Sequence, residues 1–314
     1  MTTLSAKTRY ILMAAWSILA ASSCTNDYEP EASPIIAFQP TVQTRAVKES
    51  FTINDAFTVW GGYDNDATNV FNGETVTNNG GNNWNYTGTR YWVSGKTYDF
   101  YAIYPTGYRT CSTDGTLTVS DFDTSDNKGE DAIDLMTAEA LGRNGSNPAP
   151  VPFTFRHELA RVQVVAQCET GVSATLHKAR LYGISTSGTL TRNGNNATWQ
   201  LSGSSSSFTD NNVSLATDPY TLFGGDLLLI PQSLSGLKLD IDITRTSGSQ
   251  ITQTLDLSES GPSKWEAGQT YRYTILIKQD VIAITFSNFI VPEWGETQTG
   301  GDINIGGNTQ NGGN

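Results

Sequence analysis

An all-β chain of the sandwich class, arranged as two bodies of the same kind, is what this sequence predicts, on three observations. Thr, Tyr, Trp, Val and Ile are plentiful and apolar positions alternate with polar ones, while stretches of helical period are nearly absent. Clusters of Gly, Asn, Asp and Ser cut the chain into many short segments, a spacing that suits sandwiches better than a parallel sheet. A turn-and-strand pattern occurs twice, once in each half.

The first element is an export signal. Lys7 and Arg9 form a short positive region, Tyr10 to Ala21 is an apolar run, and the small residues Ala21, Ser22 and Ser23 lead to Cys24. The run is too short for a bilayer, which takes about 20 residues. Small residues directly before a Cys suit a lipoprotein signal peptidase: the thiol must be reached, acylated with diacylglycerol and left as the new N-terminus. Residues 1–23 are therefore expected to be removed and Cys24 to be a lipid anchor; the alternative is a signal cut elsewhere, with Cys24 free or paired. No other run approaches a membrane-spanning length. The loss of Lys7 and Arg9 leaves the mature chain more acidic.

Strands are expected at Phe57–Trp60, Tyr98–Tyr104, Gly115–Val119, Arg161–Gln167, Ala179–Tyr182, Leu227–Pro231, Gln250–Leu257, Thr270–Ile277 and Val281–Phe286. The clearest is Leu237–Arg245, where Leu237, Leu239, Ile241 and Ile243 share one face and Lys238, Asp240, Asp242 and Thr244 the other, as in a half-buried antiparallel strand. Turn chemistry is expected at Asn78–Asn83, Arg192–Asn196 and Ser202–Ser207, and a short helical piece at Phe155–Ala160. The repeated pattern is Trp-x-x-Gly-x-Thr-Tyr-x-aromatic, at Trp92–Phe100 and Trp265–Tyr273: a Gly turn followed by a strand that buries alternate residues. A weaker pair is Asn82-Asn83-Trp84 and Asn195 to Trp199. The seam between the two bodies belongs between the Pro-rich Asn147–Pro152 and the strand near Arg161.

The chemistry available is limited. With 19 Lys and Arg against 31 Asp and Glu the formal charge is −12, which argues against nucleic acid or an anionic membrane surface as partner. Three Cys and two His are too few for a disulfide scaffold or a Cys/His zinc site, and Cys111 and Cys168 are left either paired or as thiols. Gly183-Ile184-Ser185-Thr186-Ser187-Gly188 approximates a nucleophile elbow, but Ser187 stands where the second Gly is required and the context reads as a hairpin turn. His157 beside the seam suits capping or seam packing better than general-base catalysis, and His177 offers no second ligand. Asp121, Asp123, Asp126, Glu130, Asp131 and Asp134 lack the spacing of a calcium loop and read as a solvated acidic stretch. Asp240 and Asp242 resemble a glycosidase pair in type only. No catalytic residue, metal or cofactor is expected. A glycan-binding module is the rival reading, because Trp60, Tyr63, Trp84, Tyr86, Tyr91, Trp92, Trp199 and Trp294 are numerous enough to build a stacking platform.

The lipoprotein signal, Gln43-Thr44-Arg45-Ala46, Phe57-Thr-Val-Trp60-Gly61-Gly62-Tyr63, Trp92 to Pro105, Asp134 to Ala138, and Phe155-Arg156-His157 with Leu159-Ala160-Arg161-Val162 together resemble the fimbrillin family of Bacteroidales. The resemblance runs from the signal to about Ile305, and its specificity lies in the order of motifs that are individually weak. Thr25 to Glu29 likewise resembles the surface-export signal behind the lipid Cys of Bacteroidetes lipoproteins. What the resemblance implies is two tandem transthyretin-like antiparallel β-sandwiches, residues 46–155 and 156–305, behind a lipidated N-terminal strand, residues 24–45, with a Gly/Asn-rich tail, residues 306–314.

It further implies a non-enzymatic subunit of a type V pilus, lipid-anchored at the outer membrane as a precursor, matured by a trypsin-like protease and acting in adhesion together with other pilin subunits. Arg45 is the residue to which the cleavage is carried over, with Ala46 as the new N-terminus; an ordinary solvated Arg is the other reading. Ile35, Ile36, Ala37, Phe38 and Val42 would supply the strand that is lost. Ile282, Ile284, Phe286 and Ile290 share one face and would form the donor strand, although the same segment also reads as a last core strand, and Ile303 and Ile305 offer a second donor. Tip or anchor roles, a host or glycan ligand, and a surface-anchored glycan-binding lipoprotein remain the alternatives.

Overall fold

Period-two burial dominates the chain. In the computed structural model, which describes residues 33–43, 48, 50–81, 83–107, 109–248, 250–259, 262–279, 285–286 and 303–304, nearly all regular structure is β. The first nine strands are β1 (Phe38–Val42), β2 (Ala56–Tyr63), β3 (Phe71–Asn78), β4 (Trp84–Asn85), β5 (Thr97–Tyr104), β6 (Thr110–Cys111), β7 (Leu117–Asp123), β8 (Met136–Asn144) and β9 (Val151–His157). Then come β10 (Ala160–Cys168), β11 (Ala174–Asn193), β12 (Asn196–Leu215), β13 (Tyr220–Thr221), β14 (Leu227–Leu229), β15 (Lys238–Arg245), β16 (Gln250–Asp256) and β17 (Thr270–Ile277). Two short strands, β18 (Thr285–Phe286) and β19 (Ile303–Asn304), pair antiparallel with each other. Among the described residues no helix is long and apolar enough to cross a membrane.

A seven-stranded sheet in the order β1-β9-β8-β5-β2-β3-β4 surrounds an aromatic core of Phe38, Phe57, Phe71, Trp84, Trp92, Tyr98, Phe100, Phe153 and Phe155. A second pair of sheets packs face to face. One is β13-β10-β14 with β17 beside β10, and the other is β16-β15-β11-β7-β6 with β12 beside β11. Their shared core is mainly aliphatic, drawn from β10, β11, β15 and β17. A third cluster, including Trp60, Ile103, Leu117, Leu135, Leu159, Leu190 and Leu228, joins the two, and the described residues from Pro34 onward belong to one compact unit. The chain visits the second pair of sheets through β6 and β7, returns to the first sheet through β8 and β9, and crosses again between His157 and Ala160.

The two copies of the Trp-Gly-Thr-Tyr pattern make the same hydrogen bond. The Tyr98 hydroxyl accepts from the Val93 amide at 2.9 Å, and the Tyr271 hydroxyl accepts from the Glu266 amide at 2.9 Å, in each case the amide following the Trp. Gly95 and Gly268 take the left-handed φ of +81° and +67° that the turn requires. Trp92 and Trp265 are both buried, so each copy pins one strand to one core.

Three expectations are corrected. The helical piece at Phe155–Ala160 is strand for its first three residues, because Val151, Phe153, Phe155 and His157 alternate inward along β9 and period two overrides the short helical signal. Ser202–Ser207 is not a turn but the middle of β12, where pairing with Ser185, Ile184 and Tyr182 of β11 overrides turn propensity. Gly183–Gly188 lies inside β11 rather than in a hairpin turn, and register shifts on either side of Ile184 and Ser185 absorb the local irregularity.

Candidate functional site

The N-terminal segment closes the first sheet by touching two places at once. Its residues alternate: Ile36, Phe38 and Pro40 are buried while Ala37, Gln39 and Thr41 are exposed. The Ile36 amide donates to the Arg90 carbonyl and the Trp92 amide to the Pro34 carbonyl, both at 2.9 Å, with Ile35 and Tyr91 bridged antiparallel. Tyr86 donates its hydroxyl proton to the Ile36 carbonyl at 2.8 Å. Beyond that point β1 runs parallel to β9, with Phe38 opposite Val151 and Val42 opposite Phe155.

Phe38 is the wedge. It is 4% exposed, stacks on Phe153 with centroids 5.7 Å apart, and meets Phe57, Phe71, Tyr86 and Phe100 edge-on at 5.3 to 6.1 Å. Removal of β1 would bare the aromatic cleft and the unpaired edge of β9.

The far end of β1 is fastened by side chains from the junction of the two sheets. The Gln43 amide donates to the Phe155 carbonyl at 2.9 Å, and the Gln43 carbonyl lies 2.9 Å from Nε2 of His157. Nδ1 of the same ring lies 3.1 Å and 3.0 Å from the two carboxylate oxygens of Asp134. Burial alone would lower the His157 pKa, but the Asp134 hydrogen bond and charge, the Gln43 carbonyl and the Glu158 charge raise it above its ordinary 6.5. Glu158, fully buried, accepts a two-pronged bond from Arg192 of β11 at 2.5 Å and 2.9 Å and the hydroxyl proton of Thr137 of β8. Its backbone carbonyl accepts from Nε1 of Trp199 at 3.1 Å.

His157 therefore has a packing role, but Asp134 is no part of a solvated stretch: it is 5% exposed and bound to that ring. Glu158 and Arg192 escape the sequence reading, and a charged residue between the apolar Phe155 and Leu159 is the signal that marks the first of them. Cys24, Arg45, Ala46, Ile282, Ile284, Ile290 and Trp294 lie outside the described residues, as does the side chain of Phe286. Ser187 sits within β11, and the His177 Nε2 is 2.8 Å from the Thr244 hydroxyl. Cys111 and Cys168 are free thiols, and burial pushes Cys111 up to about 12, so it carries no thiolate at neutral pH. Asp240 accepts from Tyr182 and Thr254, and Asp242 from Gln250 and Thr252.

The aromatic residues form no open platform among the described residues. Trp60, Trp84 and Trp92 are buried, Tyr63, Tyr86 and Trp199 are partly buried, and Tyr91 alone of these is half-exposed. A cleft of about 710 Å³, open and polar, lies beside Asp64, Lys96 and Asp114.

A profile of the fimbrillin-like family matches residues 44–294. The chain belongs to the fimbrillin-like family. No curated protein matches it. Solved structures share its fold. A proposed cell adhesion protein from Bacteroides uniformis is 23% identical with a TM-score of 0.53, over 78% of this chain and 94% of that one. A fimbrial protein from Bacteroides vulgatus is 17% identical with a TM-score of 0.56, over 82% and 98%. A proposed cell adhesion protein from Bacteroides ovatus is 18% identical with a TM-score of 0.55, over 83% and 96%. The fimbrillin-like match opens at Thr44, so β1, which ends at Val42, lies ahead of it.

Proposed function

We propose that this fimbrillin-like chain is a non-enzymatic pilus subunit acting in adhesion at the cell surface, and that β1 is a placeholder for a strand supplied by another subunit. In this reading the precursor is exported, lipidated at Cys24 and held at the outer membrane, then cut after Arg45 so that Ala46 begins the mature chain. Residues 24–45 leave, and a donor strand from a neighbouring copy takes the place of β1. The segment carrying Ile282, Ile284, Phe286 and Ile290 is the first candidate donor, and Ile303 with Ile305 the second. The reading keeps two sandwich bodies, residues 46–155 and 156–305, with residues 306–314 as a tail.

One observation carries it: a strand that ends at Val42, three positions before Arg45, fills an aromatic cleft and closes a sheet edge. Family membership supports the pilus assignment. The glycan-binding alternative has less behind it, since the aromatic residues it needs are mostly core. The test is limited trypsin digestion of the unlipidated precursor, with N-terminal sequencing and electrophoresis in SDS without boiling. A product beginning at Ala46 and a heat-sensitive ladder are expected. Resistance at Arg45 overturns the maturation step, and a clean cut without a ladder overturns self-polymerisation.

A further inference from the structure

We propose that His157 is a proton-operated latch on the N-terminal strand: as an imidazolium it ties the Gln43 carbonyl to the Asp134 carboxylate, and loss of one ring proton frees the C-terminal end of β1. The inference rests on the reading of β1 as a removable strand, and adds how its release is controlled.

The geometry is that of a ring between two acceptors. Nε2 faces a backbone carbonyl at 2.9 Å and Nδ1 faces a carboxylate at 3.0 to 3.1 Å, and neither partner in its ionised or carbonyl form has a proton to give. A neutral imidazole has one N–H and leaves one of these contacts without a hydrogen; the imidazolium donates to both. The ring side chain is 2% exposed, so water does not stand in for the missing bond. Oδ2 of Asp134 makes no hydrogen bond among the described residues and sits 3.0 Å from Nδ1, so a positive charge is what balances it.

The surrounding charges favour that cation. Glu158, next in the chain, is held by Arg192 of β11. Tyr104 of β5 donates to Asp55, and Lys48 pairs with Asp55 at 2.8 Å. Glu130 lines the cleft beside Asp134 and adds a negative charge. Arg192 and Lys48 thus each have a carboxylate partner already, and among the described residues Asp134 pairs with His157 alone. The electrostatics agree: the ring's pKa is raised in the closed arrangement. A raised value makes the latch complete below 6.5 and lost as pH rises through the raised value, so lower pH holds β1 and higher pH loosens it.

The test uses the full uncleaved chain. Nitrogen-15 NMR of the imidazoles reads both rings, and His177→Asn assigns them, since the sequence has two His. Hydrogen exchange reads the amides of Phe38, Gln39, Thr41, Val42 and Gln43 against those of β15 over the same pH series, each corrected for its intrinsic rate. Both His157 nitrogens are expected to be protonated at 6.5, with a transition above it. Protection of β1 should fall through that transition, by about tenfold for each unit separating the latched and released pKa values, while β15 stays constant. In His157→Gln the β1 step should vanish. A ring that titrates below 6.5, a neutral tautomer with the proton on Asp134, or a β1 profile that is flat or unchanged in His157→Gln overturns the latch. No cut or strand exchange enters this experiment. A precursor that trypsin fails to convert therefore counts against the proposed maturation alone, and a flat β1 profile counts against the latch alone.

Discussion

Each half of the molecule contains a parallel strand pair, and the two pairs differ in how they are held. β17 lies along β10 through eight positions and follows directly on the Trp265 turn, with five of its eight residues buried. β1 lies along β9 through five positions, reaches it from the chain's N-terminal side and buries two of its five residues, Phe38 and Pro40. The cores differ as well. The cluster that holds β17 is mainly aliphatic, with Trp265 donating to the Tyr273 hydroxyl, whereas around β1 one ring, Phe38, meets five others. β1 is thus the more lightly held of the two strands, and under the proposed function it is the one that is exchanged.

Changes at the junction should erase the difference between the halves. Glu158→Gln removes one partner of a buried ion pair and is expected to cost about 3–5 kcal/mol, lowering both halves together in urea unfolding. Adding Arg192→Met should recover a large share of it, because the stranded charge goes too. Phe38→Ala should sharpen the difference. Truncating this buried ring is expected to cost about 3–5 kcal/mol, with exchange protection lost in β2, β5 and β9 and kept in β15.

Gly61→Ala tests how tightly the aromatic core is filled. An added Cβ would overlap the Phe100 ring, so a cost of about 1–3 kcal/mol is expected, again confined to the first half. The smallest effect is at Asp55. Burial would raise its carboxyl pKa, but bonds from Lys48, the Thr52 amide and Tyr104, with the Lys48 charge, bring it below 3.8. Its contribution is present above 3.8 and lost as pH falls through the lowered value. Asp55→Asn should therefore cost less than about 1 kcal/mol at neutral pH and flatten the acid limb of the stability curve.

Alternation makes most of the strands legible in the amino-acid order, and it places β17 to the residue, because half-buried strands write their two faces directly into sequence. The repeated Trp-Gly-Thr-Tyr pattern is legible for the same reason, as a local unit whose closing hydrogen bond spans five residues. The Ser-rich middle of β12 is not, since its partner strand supplies the order that its own residues lack. At the candidate site Phe38 and His157 are each visible in the sequence. Their joint role is hidden because Gln43 and His157 are 114 positions apart, and contacts at that range leave no periodic trace. Asp134 is masked by company: five neighbouring acids make it look like one more solvated charge.

The most direct measurement of whether β1 is exchangeable is calorimetric titration of a synthetic peptide covering residues 34–43 into the trypsin-cut chain, once the released fragment has been removed. Saturable one-to-one binding that restores protection to the β9 amides, with much weaker binding of a peptide carrying Phe38→Ala, is the expected result. A cut chain that ignores the peptide, or that binds both peptides equally, would contradict the placeholder role of β1.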